Sequence, residues 1–286
     1  MPSEEMRAFN EEARTTRKQM LNSDYDPVAM RSLLAAADTM DPGPSIKHIG
    51  DALLELRGSD GDALLVYVPG GGFCFPGGDS HRTLLDRLCS KLGTRGALVQ
   101  YRLAPEHPFP AAHDDVERVL RALLAEQTGP LFLMCDSAGG VLVLSACLKL
   151  AAEGHRLPDR IVGLSVLTDM AMTGRSNVSN ADADPLFGPQ AVIHKIRHYL
   201  QGANPTSEGV SPYWSANAKL PPCLFLVGST ETMRDDTLRF AERTRQAGTD
   251  VTVSVYGEAP HVFPLLAMLP EAGQAVDEIA AFLQTG

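Results

Sequence analysis

The chain has 286 residues, of which 44% are hydrophobic and 21% charged, a composition typical of a folded globular protein rather than a disordered one. Its 25 basic and 35 acidic residues give a formal net charge of −10, and such an acidic surface excludes sequence-independent binding to nucleic acid or to anionic membranes. No apolar run approaches the ~20 residues that span a bilayer, and the first thirty residues lack the apolar segment of a secretory signal. Five widely spaced cysteines indicate free thiols in a reducing compartment. We therefore predict a cytoplasmic protein.

The first predicted element in chain order is helical and covers about forty residues. Ser3 can cap its start, and Asp41-Pro42-Gly43-Pro44 stops it. Its apolar positions at near-helical spacing are Val28, Met30, Leu33, Leu34 and Ala37. Two strands are predicted next, Ile46–Leu56 and Ala63–Val68, on either side of a turn-rich segment.

After the strand Ala63–Val68, apolar runs of strand length alternate with helical segments. The predicted strands are Gly96–Tyr101, Leu131–Cys135, Ile161–Leu167, Cys223–Val227 and Val251–Tyr256. The predicted helices are Arg82–Leu92, His113–Leu124, Gly140–Ala152, Asp236–Ala247 and Gln274–Leu283. This alternation predicts an α/β fold with a parallel sheet and helices on both faces, and such sheets bind ligands at the carboxyl ends of their strands. Reactive residues should therefore lie just after strands.

Ser137 is the candidate nucleophile. It stands in Asp136-Ser137-Ala138-Gly139-Gly140, directly between the apolar run Leu131–Cys135 and a helical segment. A serine on a sharp strand-to-helix turn with small neighbours is typical of the nucleophile elbow of hydrolases. The alternative is an ordinary helix-capping serine after a core strand.

A glycine-rich turn, Pro69-Gly70-Gly71-Gly72-Phe73, follows the predicted strand Ala63–Val68. Consecutive glycines allow backbone N–H groups to turn toward a ligand, as in an oxyanion hole. A flexible turn and a phosphate-binding loop are the alternatives, although neither GxxxxGK nor GxGxxG fits here.

The candidate base and acid follow later strands. His261 comes after the strand Val251–Tyr256, and Glu231 is the first carboxylate after the strand Cys223–Val227. Asp235 is the alternative acid, although acids at a helix start are also favoured as caps. The order serine, acid, histidine along the chain is that of a hydrolase triad, in which the acid orients the imidazole.

The remaining histidines after the elbow predict no site. His194 and His198 are four residues apart on a predicted helix, a spacing that could bind zinc, but the sequence offers no third ligand beside them. His155 belongs to a polar helix end. We predict no metal and no other cofactor.

Three motifs together resemble the hormone-sensitive lipase family of bacterial-type carboxylesterases in the α/β hydrolase superfamily. They are Gly70-Gly71-Gly72-Phe73, the block from Tyr101-Arg102-Leu103-Ala104-Pro105 to Ala112, and Asp136-Ser137-Ala138-Gly139-Gly140. The resemblance runs from about Ile46 to the C-terminus. It implies the α/β hydrolase fold with an eight-stranded, mostly parallel sheet, a catalytic domain over 46–286 and a helical cap formed by 1–45 and completed by about 170–204.

Carried over position by position, the resemblance implies Ser137 as nucleophile, His261 as base and Glu231 as acid. The N–H groups of Gly71, Gly72 and Ala138 would form the oxyanion hole. Three positions depart from the family pattern: Pro69 replaces a histidine, Cys135 replaces the first glycine of the elbow, and the acid is usually aspartate. We also expect Phe73, Phe75 and Trp214 in the pocket wall, with core packing as the alternative role.

The implied activity is hydrolysis of a carboxylic ester, with small or short acyl chains as the family expectation. A specialised lactonase, acyltransferase or biosynthetic hydrolase is one alternative, and a binding protein for a small molecule that has lost catalysis is another. The second is disfavoured because His261 is present, whereas such receptors can lack the triad histidine. The predicted partner is a small ester or lactone, and an exposed edge strand near the C-terminus could support a homodimer.

Overall fold

An eight-stranded sheet forms the centre of the protein in our computed structural model, which describes residues 1–20, 26–35 and 45–284. The strands are β1 (Ser45–Ile49), β2 (Ala52–Gly58), β3 (Leu64–Val68), β4 (Arg95–Gln100), β5 (Leu131–Asp136), β6 (Arg160–Leu164), β7 (Cys223–Gly228) and β8 (Val251–Tyr256). Their spatial order is β1-β2-β4-β3-β5-β6-β7-β8. β1 and β2 pair antiparallel and β2 pairs antiparallel with β4, whereas the other neighbours are parallel. The predicted eight-stranded, mostly parallel sheet is therefore confirmed.

The central strands are apolar because both sheet faces are covered. All five residues of β3 are buried, as expected for a parallel strand between two helical layers. Leu64, Val66 and Val68 belong to one hydrophobic core and Leu65 and Tyr67 to the other, which follows from the alternation of side chains along a strand.

Helices cover both faces of this sheet. In the described part of the chain they are α1 (Glu4–Met20), α2 (Pro27–Ala35), α3 (Asp79–Leu92), α4 (Ala111–Glu126), α5 (Ala138–Ala152), α6 (Ser176–Ser179), α7 (Pro189–Leu200), α8 (Pro212–Ser215), α9 (Arg234–Gln246) and α10 (Pro270–Gln284), with a 3₁₀ turn at Phe263–Leu265. Buried residues of α3 and α10 share one core, and those of α4, α5 and α9 share the other.

Two predicted strands differ from the structure by more than a single residue at their ends. Ile46–Leu56 was predicted as one strand, but it is the hairpin β1–β2, whose turn contains Gly50 at φ +61°. A single apolar pattern did not reveal this turn, because Gly50-Asp51 is too short to interrupt it. The predicted strand Ile161–Leu167 ends at Leu164, since Ser165 has φ +48° and leaves the sheet.

The predicted N-terminal helical region contains α1 and α2, and its predicted stop Asp41-Pro42-Gly43-Pro44 lies outside the described residues, as does Ala37. Residues of α1 bind the rest of the chain: the amide of Asn10 donates to the carbonyl of Glu258 at 2.8 Å, and Arg14 donates to the carbonyl of Ala183 at 3.1 Å. Across the described ranges, no helix has both the length and the apolar character that crossing a bilayer would require.

Candidate active site

Ser137 occupies the turn between β5 and α5. Its backbone has φ +47° and ψ −121°, a strained conformation for a residue with a side chain. Hydrogen bonds fix the turn: the N–H of Ser137 donates to Leu164 at 3.0 Å, and its carbonyl accepts from Leu167 at 2.9 Å and from Gly140 at 3.0 Å. The backbone thereby holds the serine side chain at the carboxyl end of the sheet, as in a nucleophile elbow.

The elbow also requires glycine at position 139. A β-carbon on Gly139 would lie 2.3 Å from the carbonyl oxygen of Val68 and 2.8 Å from that of Pro69. The start of α5 therefore passes directly against the end of β3 and the glycine-rich turn.

Cys135, where the family pattern has glycine, lies within β5 rather than in the turn. It pairs in register with Gly163 of β6, which in turn pairs with Phe225 of β7. The missing side chain of Gly163 accommodates the Phe225 ring, because a β-carbon on Gly163 would come within 2.6 Å of Cδ1 of Phe225. The thiol is buried, and burial raises its pKa well above the usual value.

His261 lies between Ser137 and Glu231 and contacts both. Its Nε2 is 2.9 Å from Oγ of Ser137, and its Nδ1 is 2.7 Å from Oε2 of Glu231. Glu231 is completely buried and His261 is 7% exposed, so water is largely excluded from the carboxylate–imidazole contact. The geometry allows the carboxylate to orient the imidazole and the imidazole to accept a proton from the serine.

The second carboxylate oxygen of Glu231 is also bound. Oε1 accepts hydrogen bonds from Oγ of Ser165 at 2.7 Å and from the N–H of Gly228 at 2.5 Å. The same Ser165 hydroxyl accepts the N–H of Val262 at 3.0 Å. Ser165 therefore links the carboxylate to the histidine loop, and sequence reasoning missed it because the residue was assigned to the interior of a strand.

Asp235, the alternative acid, binds elsewhere. Its Oδ2 accepts the N–H of Ser176 at 3.1 Å and its Oδ1 pairs with Arg234 at 2.9 Å. This carboxylate holds the segment around Ser176 against the start of α9.

The glycine-rich turn lies beside Ser137. Gly71 and Gly72 have φ values of +93° and +61°, and the carbonyl of Gly71 accepts the N–H of Phe75 at 3.1 Å. Gly71, Gly72 and Ala138 all line the cavity in which Ser137 and His261 lie. This is the place in which N–H groups can stabilise a developing oxyanion.

The family pattern has a histidine at position 69, where this chain has Pro69. Here the side chains that brace the glycine-rich turn are buried and belong to other positions. Oδ1 of Asp136 accepts the Tyr67 hydroxyl at 2.8 Å and the N–H of Gly70 at 3.0 Å. The Tyr101 hydroxyl lies 2.7 Å from the carbonyl oxygen of Gly70 and 2.9 Å from that of Pro69. Burial and the Asp136 charge raise the pKa values of both tyrosines well above the usual value, so both hydroxyls keep their protons.

His81 at the start of α3 also lies beside Asp136 and the cavity. Its Nε2 is 3.5 Å from Oδ1 of Asp136, its Nδ1 accepts the N–H of Gly78 at 3.2 Å, and the residue lines the cavity. Nothing in the sequence distinguished it from an ordinary helix-start residue.

The cavity has a volume of about 290 Å³ and a mostly apolar wall. Phe73 lines it, stacked on Tyr199 with ring centroids 4.1 Å apart. Neither Phe75 nor Trp214 is among its lining residues in the described chain; the Trp214 indole instead donates to Asp169 at 2.9 Å. Apolar lining residues that sequence reasoning did not single out are Leu186, Phe187, Val192, Ile196, Met233, Leu265 and Leu266.

The wall also contains Lys195, on the same helix as Val192 and Ile196. A signal for it existed in the sequence, because Lys195 interrupts the apolar positions of α7 at helical spacing. The other histidines of the sequence analysis do not reach the cavity wall, and the described residues contain no cluster of three potential metal ligands.

Comparison with known proteins agrees with this fold. The model of the family described as alpha/beta hydrolase fold matches residues 65–265. An esterase of Acinetobacter venetianus is 32% identical over 267 residues, covering 90% of this chain and 88% of its own, and an acetyl-hydrolase of Streptomyces hygroscopicus is 34% identical over 229 residues, covering 79% and 76%.

Solved structures give the same result. An esterase from the bacterial hormone-sensitive lipase family superposes with a TM-score of 0.87 at 32% identity, covering 99% of this chain and 98% of that one. A hormone-sensitive lipase from a metagenome library superposes with a TM-score of 0.84 at 28% identity, covering 97% of each chain.

The protein belongs to the α/β hydrolase fold family. Within that family it groups with the hormone-sensitive lipase family esterases, and it is a carboxylic ester hydrolase. The expectation drawn from the three motifs is confirmed at this level.

Proposed function

We propose that the protein hydrolyses small carboxylic esters with Ser137 as nucleophile, His261 as general base and acid, and Glu231 as the carboxylate that orients the imidazole. The observation that supports this most directly is the continuous line of contacts from Oγ of Ser137 through both ring nitrogens of His261 to Oε2 of Glu231. The line lies at the wall of an apolar cavity, which would hold the ester beside the serine.

In the proposed reaction, His261 takes the proton of Ser137 as Oγ attacks the ester carbonyl. The resulting imidazolium is stabilised by the Glu231 carboxylate. The tetrahedral intermediate then collapses: the ester C–O bond breaks, His261 protonates the alkoxide, which leaves as the alcohol, and the acyl group remains on Oγ of Ser137 as an acyl-enzyme. A water molecule, deprotonated by the same imidazole, attacks the acyl-enzyme and releases the acid.

The oxyanion of each tetrahedral intermediate is assigned to the N–H groups of Gly71, Gly72 and Ala138. The positive φ values of the two glycines support this assignment, because they let consecutive N–H groups converge on one side of the turn. One such donor contributes about 3 kcal/mol to transition-state stabilisation in acyl transfer.

The expectation of a small or short acyl group rests on two observations. The cavity is about 290 Å³, at the lower end of the range for ligand pockets. The names of two relatives also point that way, the acetyl-hydrolase of Streptomyces hygroscopicus and an ethyl acetate hydrolase of Pseudomonas putida that is 29% identical over 235 residues. We further propose that residues 1–45 and about 170–204 cap the catalytic domain 46–286, since Phe187, Val192 and Ile196 of the second segment line the cavity.

The test is a panel of esters and lactones of increasing acyl length, assayed with and without an added alcohol as acyl acceptor. We expect hydrolysis of acetyl and butyryl esters, and a loss of about three orders of magnitude or more in turnover in Ser137→Ala and His261→Ala. Thermal unfolding of both variants serves as the control for folding. Turnover close to that of the wild type in either variant would contradict the mechanism. A preference for lactones would indicate a lactonase, and a preference for transfer of the acyl group to the added alcohol would indicate an acyltransferase.

A homodimer and a cytoplasmic location remain predictions. β8 is one of the two edge strands of the sheet, and Val255 on it is 49% exposed. Sedimentation analysis of the wild type and of Val255→Arg would test self-association through this edge, since a charge on an edge strand opposes strand pairing.

A further inference from the structure

Lys195 is a charged residue on the buried face of α7. Val192, three residues before it, Tyr199, four residues after it, and the adjacent Ile196 are all buried. Lys195 itself is partly buried and lines the cavity that contains Ser137 and His261. A lysine at such a position is unusual, because an ammonium group loses hydration there unless a partner compensates.

Aromatic rings and the glycine-rich turn surround the Lys195 side chain. Nζ lies 4.5 Å from the centre of the Phe187 ring and 5.9 Å from that of Phe75. Phe187 also touches the imidazole of His261 edge-on, with ring centroids 5.1 Å apart. A β-carbon on Gly72 would come within 2.3 Å of the Lys195 Cδ, so the lysine stem packs directly against this turn. The aliphatic stem of Lys195 therefore packs on the glycine-rich turn, and its ammonium lies over the ring that contacts the proposed base.

Residues 1–20, 26–35 and 45–284 contain no carboxylate that forms an ion pair with Lys195. The acidic groups of the site have other partners: Asp136 accepts from Tyr67 and Gly70, and Glu231 contacts His261. Burial lowers the pKa of Lys195, and this effect is larger than the opposing effect of the nearby Cys74. The aromatic contacts compensate part of the lost hydration, and an anion in the cavity would supply the rest.

We propose that Lys195 binds a carboxylate carried by the ester substrate, so that the preferred substrates are monoesters of dicarboxylic acids or hydroxy acids that are acylated on the hydroxyl and keep a free carboxylate. This inference rests on the proposed ester hydrolysis and specifies its substrate class. A carboxylate that entered an otherwise apolar cavity would find a cationic partner in Lys195, and a charge-assisted hydrogen bond in such surroundings is stronger than one in water.

The test compares two pairs of esters that differ only in charge. Monoethyl glutarate and ethyl 5-methylhexanoate carry the carboxylate or its neutral replacement in the acyl group, and O-butyrylglycolate and isobutyl butyrate carry it in the alcohol. The measured quantity is the ratio of kcat/KM for the anionic ester to that for the neutral one. A disturbance of the oxyanion hole lowers kcat/KM for both esters of a pair, so it leaves this ratio unchanged.

We expect the ratio to fall about tenfold or more in Lys195→Met for at least one pair. The pair that shows the fall identifies whether the acyl group or the alcohol carries the anion. Lys195→Arg, which keeps the charge, should retain more of the ratio than Lys195→Met. The matched control is Arg197→Met, which removes one positive charge from an exposed position of the same helix and should leave the ratio unchanged. If Lys195→Met does not fold, Lys195→Gln takes its place.

A fall of less than about threefold in both pairs would overturn the proposal, as would an equal fall in Arg197→Met. Reaction of Ser137 with a neutral fluorophosphonate separates this result from failure of the proposed function. Labelling of Ser137 with unchanged ratios rejects only the role of Lys195. Absence of labelling in folded wild-type protein rejects the proposed mechanism and the substrate class with it.

Discussion

At the scale of single residues, the assignment of the acid depends on which carboxylate reaches His261. Glu231 and Asp235 follow the same strand, but their carboxylates bind different groups. Glu231 contacts Nδ1 of His261 at 2.7 Å, whereas Asp235 accepts the N–H of Ser176. Only the first contact can stabilise an imidazolium during acyl transfer.

We therefore expect Glu231→Gln to lower kcat by about a hundredfold or more, because the amide cannot stabilise the imidazolium as the carboxylate does. Asp235→Asn is the matched control: it should keep kcat within about threefold of the wild type and change mainly the free energy of unfolding. Steady-state kinetics and urea unfolding of both variants check this. A larger loss of kcat in Asp235→Asn than in Glu231→Gln would reverse the assignment.

A second prediction at this scale concerns the bracing of the glycine-rich turn by Tyr101. Tyr101→Phe removes the hydroxyl that binds the carbonyl oxygens of Pro69 and Gly70, and we expect kcat to fall about tenfold with a smaller change in KM.

Tyr256→Phe is the control, because its hydroxyl donates to Glu278 at 2.7 Å and lies outside the cavity lining. Both changes should lower the free energy of unfolding by about 1 kcal/mol. If kcat in Tyr101→Phe stays within about twofold of the wild type, the turn does not depend on this hydroxyl.

The residues proposed for the reaction were all candidates from the sequence, because each follows a predicted strand at its carboxyl end. Ser165 and Lys195 were not. Ser165 lies where a predicted strand ends early. Lys195 interrupts the apolar positions of α7, which indicates a charge on a buried face, but the site that this face lines depends on the long-range packing of α7.

At the scale of elements, the elbow depends on the close approach of α5 to the end of β3. Gly139→Ala would place a β-carbon 2.3 Å from the carbonyl oxygen of Val68, so α5 or the glycine-rich turn must move. We expect the free energy of unfolding to fall by about 2 kcal/mol and kcat to fall about a hundredfold.

Gly273→Ala provides the contrast, since nothing lies within 4 Å of the added carbon in α10. It should stabilise the protein by about 0.5–1 kcal/mol and leave kcat unchanged. Urea unfolding and kinetics of the two variants check both expectations. Normal kcat in Gly139→Ala would show that the approach of α5 to β3 is not needed for activity.

The sequence predicted most strands and helices to within a few residues, because each central strand is a continuous apolar run between segments with helical periodicity. Its errors occurred where a backbone turn interrupts an apolar run. Gly50, with φ +61°, divides the first predicted strand, and Ser165, with φ +48°, ends β6. The turn at Ser165 is stabilised by a contact that is distant in sequence, the hydrogen bond from the Ser165 N–H to the carbonyl of Leu226 at 2.8 Å.

At the scale of the whole molecule, Asp236 makes stability depend on pH. It is completely buried, and burial raises its pKa from 3.8 to about 7. Oδ1 accepts the N–H groups of Thr168 and Asp169 at 3.1 and 2.8 Å. The Asp169 charge also raises the pKa, and Arg239 lowers it.

Between pH 4 and pH 7 the unfolded chain has lost this proton while the folded protein keeps it, so Asp236 lowers the free energy of unfolding as the pH rises. Asp236→Asn removes this dependence and retains an oxygen for both N–H groups. From pH 5 to pH 8 we expect the variant to gain roughly 2 kcal/mol relative to the wild type, measured by urea unfolding. Parallel stability curves of the two proteins would show that Asp236 does not titrate in this range.

The fold class followed from the sequence through strand–helix alternation and three specific motifs. The shape of the cavity did not, because Phe187, Val192 and Ile196 enter it from a segment with no family motif, and their arrangement depends on how that segment packs over the sheet.

The most direct test of the proposed mechanism is reaction of the purified protein with a fluorophosphonate, followed by mass spectrometric location of the adduct. The reagent reports an activated serine without requiring the natural substrate. We predict an adduct on Ser137 in the wild type and its absence in folded His261→Ala, because the imidazole must remove the serine proton. No adduct in folded wild-type protein, or equal labelling of the two proteins, would contradict the account of a serine activated by His261.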